Sequence, residues 1–374
     1  MALTLAEAKV GMANKVDQKV IETIQRNSRF LDLLIFDDAI APGTGGSTFV
    51  YGYTQLLTPA SAAGRKINSP YTAQEAKRTI KTTTLTIMGG SYEIDRALVR
   101  TQNGKIQEVA FQNEQKAKAT AARYQYLAIN GVYNENSDDP EFDGLSKLLA
   151  GTENEIDCKS ISLATVDEAK ALAFDEALRN ALYSIAGGKP TAILANSRLI
   201  TKMTTVAHKL GFYDRTIDAF GNTVVKYDGI ELIDLQQYYD GTNTKDVIPV
   251  RTTAEYRQVT VTSTTFAALK SKLYTESSGT YTAVPASGTG STYDSTATYY
   301  IQIGAANSTD LYAVRIGLDA FCGVTPEGGS IGIEAHLPDF TEAKTVHTGD
   351  VELIGGVALK NTKTAAVLRG IVIA

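Results

Sequence analysis

Tryptophan is absent from the 374 residues, and cysteine, histidine and methionine are scarce, at two, three and four. Cys158 and Cys322 lie far apart and in no motif. They supply no disulfide framework, although a single bridge between them stays open. The three histidines, His208, His336 and His347, have no neighbour at zinc-ligand spacing. No apolar run approaches the 18 residues of a membrane-spanning helix. The opening MALTLAEAKVGMANK lacks the basic start and apolar core of a secretion signal, so no membrane partner is expected and a cytoplasm is the expected place of synthesis. Basic excess is also lacking: the net charge is −5. That excludes a strongly basic nucleic-acid binder. Lys9, Lys15, Lys19, Arg26 and Arg29 outnumber Glu7, Asp17 and Glu22 by too little to make the first 30 residues a DNA-binding arm.

Catalytic and ligand-binding constellations are missing as well. Asp139, Glu141, Asp143 and Gly144 open like a calcium loop, but the twelfth position, where a bidentate Glu is needed, is Ala150. GGSIG, residues 328–332, matches G-x-S-x-G around Ser330, with Asp339 and His347 following in order. A nucleophile elbow needs a strand before the Ser and a helix after it. Here Pro326 precedes, and Ile331 and Ile333 continue as a strand. APGTGGST has no Lys to reach a phosphate and no strand leading into it. The tyrosines at 293, 299 and 300 could stack on sugars or bases, but strand tyrosines usually serve packing. No catalytic residue, cofactor site or metal site is assigned, and no enzyme activity is expected.

What is present is a core-forming chain, 43% hydrophobic and 21% charged, long enough for two or three domains. Residues 4–30 read as an amphipathic helix with Val16, Val20, Ile21 and Ile24 near one face, followed by the apolar RFLDLLIFDDAI. Phe49, Tyr51 and Tyr53 alternate as in a strand. Ile80, Leu85 and Ile87 alternate again beyond a polar stretch of about 20 residues, which describes a long hairpin that needs a neighbour to be stable. Residues 93–130 read as a long helix with Ile106, Val109, Ala110, Ala117, Ala121, Tyr124 and Ala128 on one stripe; Gly104 moves its start toward Lys105. Thr165 and Glu168 form a capping-box pattern for a helix over 165–186, which Gly187, Gly188 and Pro190 end. TAILA, a helix capped by Asn196 or Ser197 and stopping at Gly211, and KYDGIELIDL complete an α/β layer. Residues 251–310 are rich in Tyr, Thr, Ser and Gly and β-like, and four strand-like segments close the chain.

The order of these elements resembles the Hong Kong 97 fold of tailed-phage major capsid proteins. The resemblance rests on MALTLAEAKV with RFLDLLIF, on FDGLSKLL directly after the long helix, and on PTAILANSRLITKMTTVAHKLG followed by YDGIELIDL. LYAVRIG through VELIGGVALKNTKTAAVLRGI completes it. It covers roughly 1–250 and 306–374, and no single motif is diagnostic.

The resemblance implies an α+β fold with an N-terminal arm (1–45), an extended β-hairpin loop (46–92) and a peripheral domain with a long spine helix (93–164 and 323–374). It further implies an α/β axial domain (165–250 and 306–322) carrying a β-rich insertion (251–305), which is either a surface module or an elaborated axial loop. Phe30, Leu33, Leu34, Phe36, Phe49, Tyr51, Tyr53, Arg65 and Lys66 are the expected inter-subunit contacts. Phe142, Asp143, Gly144 and Leu145 would turn the chain from spine to axial domain, with Phe142 and Leu145 as buried anchors. Some relatives join subunits by a Lys–Asn isopeptide bond, for which Lys66 and Asn361 are the candidates here. The implied function is a self-assembling icosahedral head shell around double-stranded DNA, built in the host bacterial cytoplasm from pentamers and hexamers. Portal, scaffolding and decoration proteins are the expected partners, scaffolding being separate because no long segment precedes the arm; DNA would be enclosed without specific contacts. An encapsulin nanocompartment shares the fold and is the alternative. A β-rich surface adhesin is the third reading, and it predicts a secretion signal.

Overall fold

The computed structural model describes residues 29–39, 49–97, 105–134, 137–211, 214–217, 223–288, 290–326, 329 and 331–374. The expected helix over 4–30 therefore lies outside the described residues except at its end. In chain order the elements begin with α1 (Arg29–Leu33), β1 (Phe36–Asp38), β2 (Val50–Thr58), β3 (Lys77–Thr84), β4 (Thr86–Asp95), α2 (Lys105–Asn130), α3 (Leu145–Leu148) and β5 (Glu155–Asp157). They continue with α4 (Glu168–Ser184), β6 (Ala192–Ala195), α5 (Ser197–Leu210), β7 (Asp214–Ile217), β8 (Thr223–Tyr227), β9 (Ile230–Asp234), β10 (Gln237–Tyr239) and β11 (Thr244–Asp246). The last are β12 (Glu255–Val259), α6 (Ser263–Leu269), β13 (Leu273–Ser277), β14 (Thr280–Ala283), β15 (Tyr299–Gly304), β16 (Ser308–Val314), β17 (Phe321–Thr325), β18 (Glu334–His336), β19 (Val346–Leu359) and β20 (Ala365–Val372).

The chain divides into two compact units: Met1–Thr152 with Leu235–Val247 and Val314–Ala365, and Glu153–Asp234 with Ile248–Ala313 and Ala366–Ala374. The sequence reading placed the first crossing at 164/165 and kept the C-terminal strand with the spine. In the structure β5 pairs in parallel with β20, so residues 153–164 and the C-terminus join the α/β layer. A three-residue strand carries too little pattern to show that in sequence.

The first unit is built on β19. Its second half pairs with β17, and its first half lies between β18 and β4. β1 adds to the far side of β17 in parallel. Segment 80–95, which reads as one strand, is two: Leu85 interrupts it, β3 turning away to pair with β2 while β4 joins β19. Glu93 to Asp95 are accordingly strand, not the start of the long helix.

The helix α2 packs on β4 and β19. Its first turns follow the amphipathic stripe loosely, and Ala110 is exposed. Its last turns are buried nearly all round, through Tyr124, Gln125, Leu127, Ala128 and Ile129. The Tyr124 hydroxyl donates to the Gly356 carbonyl at 2.8 Å, and its ring lies 5.9 Å from Phe36 and 5.7 Å from Phe142. Gly323 is what admits these rings: a Cβ there would sit 2.5 Å from Phe36 and 2.9 Å from the Tyr124 hydroxyl.

The second unit holds a seven-stranded sheet in the order β5-β20-β16-β6-β9-β8-β7. β6 and β9 are parallel neighbours, the α5 crossover lying between them in sequence. α4 buries Ala171, Phe174, Leu178 and Ala181, and α5 buries Leu199, Met203 and Val206, in one cluster with the sheet. α4 starts later than its sequence suggests. The N-cap is Asp167, whose carboxylate accepts from Lys170 N at 2.8 Å, and not Thr165 of the expected capping box; Asp is at least as good a cap as Thr. Asn196 caps α5 and Gly211, at φ 76°, ends it.

Residues 255–304 form a four-stranded sheet, β12-β15-β13-β14, with α6 and a small core of Val261, Phe266, Leu273, Val284 and Tyr299. The sequence reading gave this stretch strands only. STTFAAL opens with three Ser or Thr residues, and Thr262 with Thr265 makes the capping box that starts the helix.

A buried ion network ties this small sheet to the large one. Asp310 on β16 accepts both Arg251 Nη atoms, at 2.8 and 2.7 Å, and also Arg369 Nη1 at 2.9 Å and Gly370 N at 2.9 Å. Arg369 reaches Glu155 at 3.0 Å, and Glu155 holds Arg257 of β12 bidentately at 2.7 Å. Burial pushes the Asp310 carboxyl up, but the Arg251 hydrogen bonds and the Arg369 charge outweigh it and hold the pKa below the usual carboxylate range. A depressed folded-state pKa means stability that is present above the unfolded value, near 3.9, and lost as pH falls through the folded value. Asp310→Asn leaves Arg251 and Arg369 without their shared anion. It is expected to cost about 3–5 kcal/mol at pH 7 and to flatten the stability profile below about pH 4, read by denaturant unfolding of unassembled subunit. An unchanged midpoint at pH 7 would remove the network from the forces holding this unit.

Candidate assembly surfaces

The hairpin β2–β3 is fixed at its root and bare beyond it. Successive β2 side chains alternate faces, and Tyr51, Tyr53 and Gln55 turn toward the first unit's body. The Tyr51 hydroxyl donates to Asp37 Oδ2 at 2.7 Å, and Lys360 Nζ donates to the same oxygen at 2.6 Å while lying 5.3 Å from the Tyr51 ring centre. The Tyr53 hydroxyl donates to the Leu359 carbonyl at 3.0 Å, and Gln55 Nε2 to the Lys360 carbonyl at 3.2 Å. Burial works against both charges, yet each stabilises the other: Asp37 titrates below the usual carboxylate range and Lys360 above the usual amine range. Sequence reading found Tyr51 and Tyr53 but missed Asp37 and Lys360. The two are 323 residues apart, and a lone Lys–Asp pair leaves no local signal.

Past Gln55 the hairpin shows Leu56, Leu57, Ile67, Tyr71 and Ile80 to solvent, Ile67 at 90% and Ile80 at 73%. Phe49 is exposed at the base. Arg65 sits over the Tyr71 ring at 5.4 Å and donates to the Ser69 carbonyl at 3.3 Å; Lys66 is exposed beside it.

The expected arm contacts fare differently. Phe30, Leu34 and Phe36 are buried in their own subunit and Leu33 is half-buried. β1 pairs with β17, and Phe30 stacks on Phe321 with ring centres 6.4 Å apart. The structure thus corrects the expectation for Phe30, Leu34 and Phe36: they are core side chains of this chain, not surface offered to a neighbour. Residues 1–28 and 40–45 of the expected arm lie outside the described residues.

The acidic turn after α2 is structural. Arg123 Nη2 donates to Asp139 at 2.6 Å and Glu141 at 3.1 Å, Glu141 accepts Val132 N, and Asp143 accepts Tyr133 N at 2.9 Å. Phe142 and Leu145 are fully buried. Gly144 presses against the helix end: its N donates to the Gly131 carbonyl at 2.9 Å, and a Cβ would lie 2.4 Å from the Leu127 carbonyl.

Among the described residues no three His, Cys, Asp or Glu gather as metal ligands. Ser330 and the Gly-rich residues 40–48 lie outside them. Asp339 caps Thr341, and His347 is buried against Phe340. Asn361 caps Lys363 N at 3.0 Å, and no hydrogen bond among the described residues joins it to Lys66. Cys158 and Cys322 are separate buried thiols, one in each unit, raised by burial to about 12 and about 11.

Residues 4–229 match the family model described as SU10 major capsid protein. No curated protein matches the chain. Among solved structures, the shell of the holo-SrpI encapsulin complex from Synechococcus elongatus PCC 7942 is similar at 12% identity and a TM-score of 0.57, over 100% of this chain and 98% of that one. The mature capsid of bacteriophage PhiM1 is similar at 11% identity and 0.52, over 98% of each chain. The capsid of the native GTA particle is similar at 12% identity and 0.50, over 99% of this chain and 100% of that one. At these identities the likeness is one of fold.

Two substitutions test the geometry. Lys360→Met removes the cation shared by Asp37 and Tyr51, and amide exchange in residues 49–58 of unassembled subunit should quicken at least about tenfold while β17 is unaffected; unchanged exchange would mean that the pair does not hold the hairpin. Gly144→Ala forces a methyl group into the end of α2 and should destabilise the subunit by about 1–3 kcal/mol or more, measured by thermal unfolding.

Proposed function

The chain belongs to the SU10 major capsid protein family, and from that membership we propose that it builds a closed shell by laying its hairpin over a neighbouring copy. It has the Hong Kong 97-like fold and is a tailed-phage head-shell protein of the virion capsid, acting by self-assembly. The observation that carries the assembly mechanism is the two-part hairpin. Its root is hydrogen-bonded to the subunit, so its direction is set, while its outer part shows large apolar side chains that the described residues leave exposed.

A two-stranded hairpin is marginal alone. Its open edges and apolar side chains are a liability in a monomer and an interface in an assembly. Obligate interfaces bury about 2,000 Å² or more, and much of the gain is offset by association entropy. Individual contacts can therefore be modest while a shell of many copies persists. Closed symmetry, here icosahedral with pentamers and hexamers, leaves no hairpin uncovered.

On this reading the first unit is the peripheral part and the second the axial part that gathers about the symmetry axes. Residues 1–45 are the arm, Phe49, Arg65 and Lys66 are contact residues, and the sheet at 255–304 is a surface module. No reaction is assigned. Assembly takes place in the host cytoplasm, with portal, scaffolding and decoration proteins as partners and DNA enclosed without specific contacts, as suits a net charge of −5. The Lys66–Asn361 cross-link is not part of the proposal. The encapsulin likeness supports a second reading, a protein-loaded compartment; the family match favours the phage head.

Electron microscopy of expressing cells and purified protein decides between these. Uniform closed shells, filled with DNA when the phage's other proteins are present, are expected. Shells carrying an enzyme cargo would select the compartment, and a monodisperse monomer with residues 46–92 folded back on its own body would refute assembly through the hairpin.

A further inference from the structure

The small sheet of residues 255–304 has two aromatic faces, and its core uses only one. The register sorts them. Tyr299 lies opposite Val259 and Thr275, and Ile301 opposite Arg257 and Leu273. This face packs on Phe266 of α6, with Tyr293 beside it. Tyr256 opposite Gln302, Gln258 opposite Tyr300, and Tyr300 opposite Tyr274 make the other face, and Tyr281, opposite Glu276, extends it. The packing that strand tyrosines usually serve thus accounts for Tyr293 and Tyr299 but not for Tyr300.

Tyr256, Tyr274, Tyr281 and Tyr300 meet on that second face and stay half-buried. Tyr256 stacks on Tyr281 with ring centres 4.0 Å apart and planes 9° apart. Tyr256 and Tyr274 meet edge to face at 5.0 Å, as do Tyr281 and Tyr300 at 5.1 Å. Each ring is held by its neighbours, so little side-chain freedom is left to lose on binding. The Tyr274 hydroxyl donates to Gln302 Oε1 at 3.3 Å, whereas those of Tyr256, Tyr281 and Tyr300 make no hydrogen bond among the described residues. Gln258 is exposed beside them. Charge is almost absent. Neither Lys nor Arg stands at the strand positions of this face, and its one carboxylate, Glu276, accepts Gly279 N at 2.6 Å in the β13–β14 turn. Residues 255–304 as a whole carry Arg257, Lys270 and Lys272 against Glu255, Glu276 and Asp294, a net charge of zero in a chain at −5.

We infer that this tyrosine face is a binding site for a neutral carbohydrate. Charge and size separate the classes of partner. Nucleic acids and anionic polysaccharides need cations, and the face has none. A stable protein partner needs about 800 Å² on each side. Four strands of four to six residues, spaced about 4.8 Å apart, offer only about 14 by 16 Å, roughly 230 Å². That is a footprint for a short run of sugar rings. A pyranose presents C–H groups on its flat faces and hydroxyls at its rim. The C–H groups match tyrosine rings, whose faces carry the negative part of the quadrupole. The hydroxyls match phenol hydroxyls and glutamine amides, which both donate and accept. The inference stands on the small sheet alone and goes beyond the assembly proposed above. A shell repeats the face in every copy, so weak single sites add up to firm attachment wherever the face points outward.

Calorimetry and ligand-observed NMR on unassembled subunit test the site. The probes are neutral oligomers of glucose, galactose, mannose and N-acetylglucosamine, with a sulfated glycan and single-stranded DNA as anionic controls. At least one neutral oligomer should bind with a Kd of about 1 mM or tighter, and its affinity should hardly change between about 50 and 500 mM salt. Tyr281→Ala should weaken binding at least about tenfold, and Tyr239→Ala, at an exposed tyrosine of the first unit, should leave it unchanged. Should loss of a ring unfold the small sheet, the Tyr256→Phe/Tyr281→Phe/Tyr300→Phe protein keeps every ring and loses three hydroxyls. Its affinity should fall at least about fivefold while its melting temperature holds. The inference is overturned if no neutral oligomer binds at about 10 mM, if binding survives both sets of substitutions, or if an anionic control binds more tightly than every neutral oligomer. Shells then separate the site from its placement. Retention of parent shells on a column of the bound sugar, lost in the triple variant, supports an outward face. Binding by subunit without retention of shells upholds the site and rejects the reading of residues 255–304 as an outer surface module.

Discussion

Ten consecutive residues of β4 pair with β19, from Asp95 opposite Val346 to Thr86 opposite Gly355, and the other parts of the first unit take their positions from that ladder. One face receives α2, whose Tyr124 reaches across to Gly356. The far half of β19 carries β17 and through it β1. At the near end of β4, Leu85 is buried where the chain leaves for the hairpin, and just past Leu359 the Lys360 ammonium closes on Asp37 and Tyr51. A strand of 14 residues with partners on both sides is a stiff base. A limb rooted at its end inherits a direction from it, which a limb on a free linker would not have.

Stiffness at the root and exposure beyond it answer two needs that conflict in most proteins. A contact arm has to be ordered enough that binding does not forfeit its gain to conformational entropy, and open enough that a neighbour can be reached. Here the hydrogen bonds of Tyr51, Tyr53 and Gln55 order the first three inward positions of β2, while among the described residues the side chains from Leu56 outward make none with the body. The buried network of Asp310, Arg251 and Arg369 applies the same device in the second unit, where it fixes a small sheet whose core, among the described residues, is a cluster of five buried apolar side chains.

Sequence carried most of the architecture because most elements announce themselves locally. The hairpin, the long helix, the capped α4 and α5 and the buried β6 each have a periodicity, a cap or a breaker within a dozen residues. Failures came where the deciding partner is remote. Phe30, Leu34 and Phe36 read as a greasy end offered outward, because nothing near them shows that β17, some 290 residues on, will cover them. Asp37 and Lys360 were invisible for the same reason. β5 was too short to read, and only its pairing with β20 assigns residues 153–164 to the second unit. The Phe142–Leu145 turn was readable because its requirements are local: a glycine where a Cβ would strike the helix end, flanked by two apolar anchors and an acid that accepts a backbone N–H.

The distribution of charge separates what holds the subunit from what joins subunits. Inside, acids and bases interlock: Asp310 lies between Arg251 and Arg369, and Glu155 between Arg369 and Arg257. Such groups cannot be left single in a low-dielectric site, because an unpaired buried charge costs several kcal/mol. Outside, the hairpin cations and the acids of the β18–β19–β4 sheet form no Lys/Arg–carboxylate pair among the described residues, which water tolerates at small cost. Lys77, Arg78 and Lys81 on an open strand repel the hairpins of other copies edge to edge, the pairing that would otherwise lead to aggregates, and the acids of β4, β18 and β19 repel one another's faces. A contact between two different surfaces of one chain propagates from copy to copy, and a ring or a shell is how such a series of contacts closes.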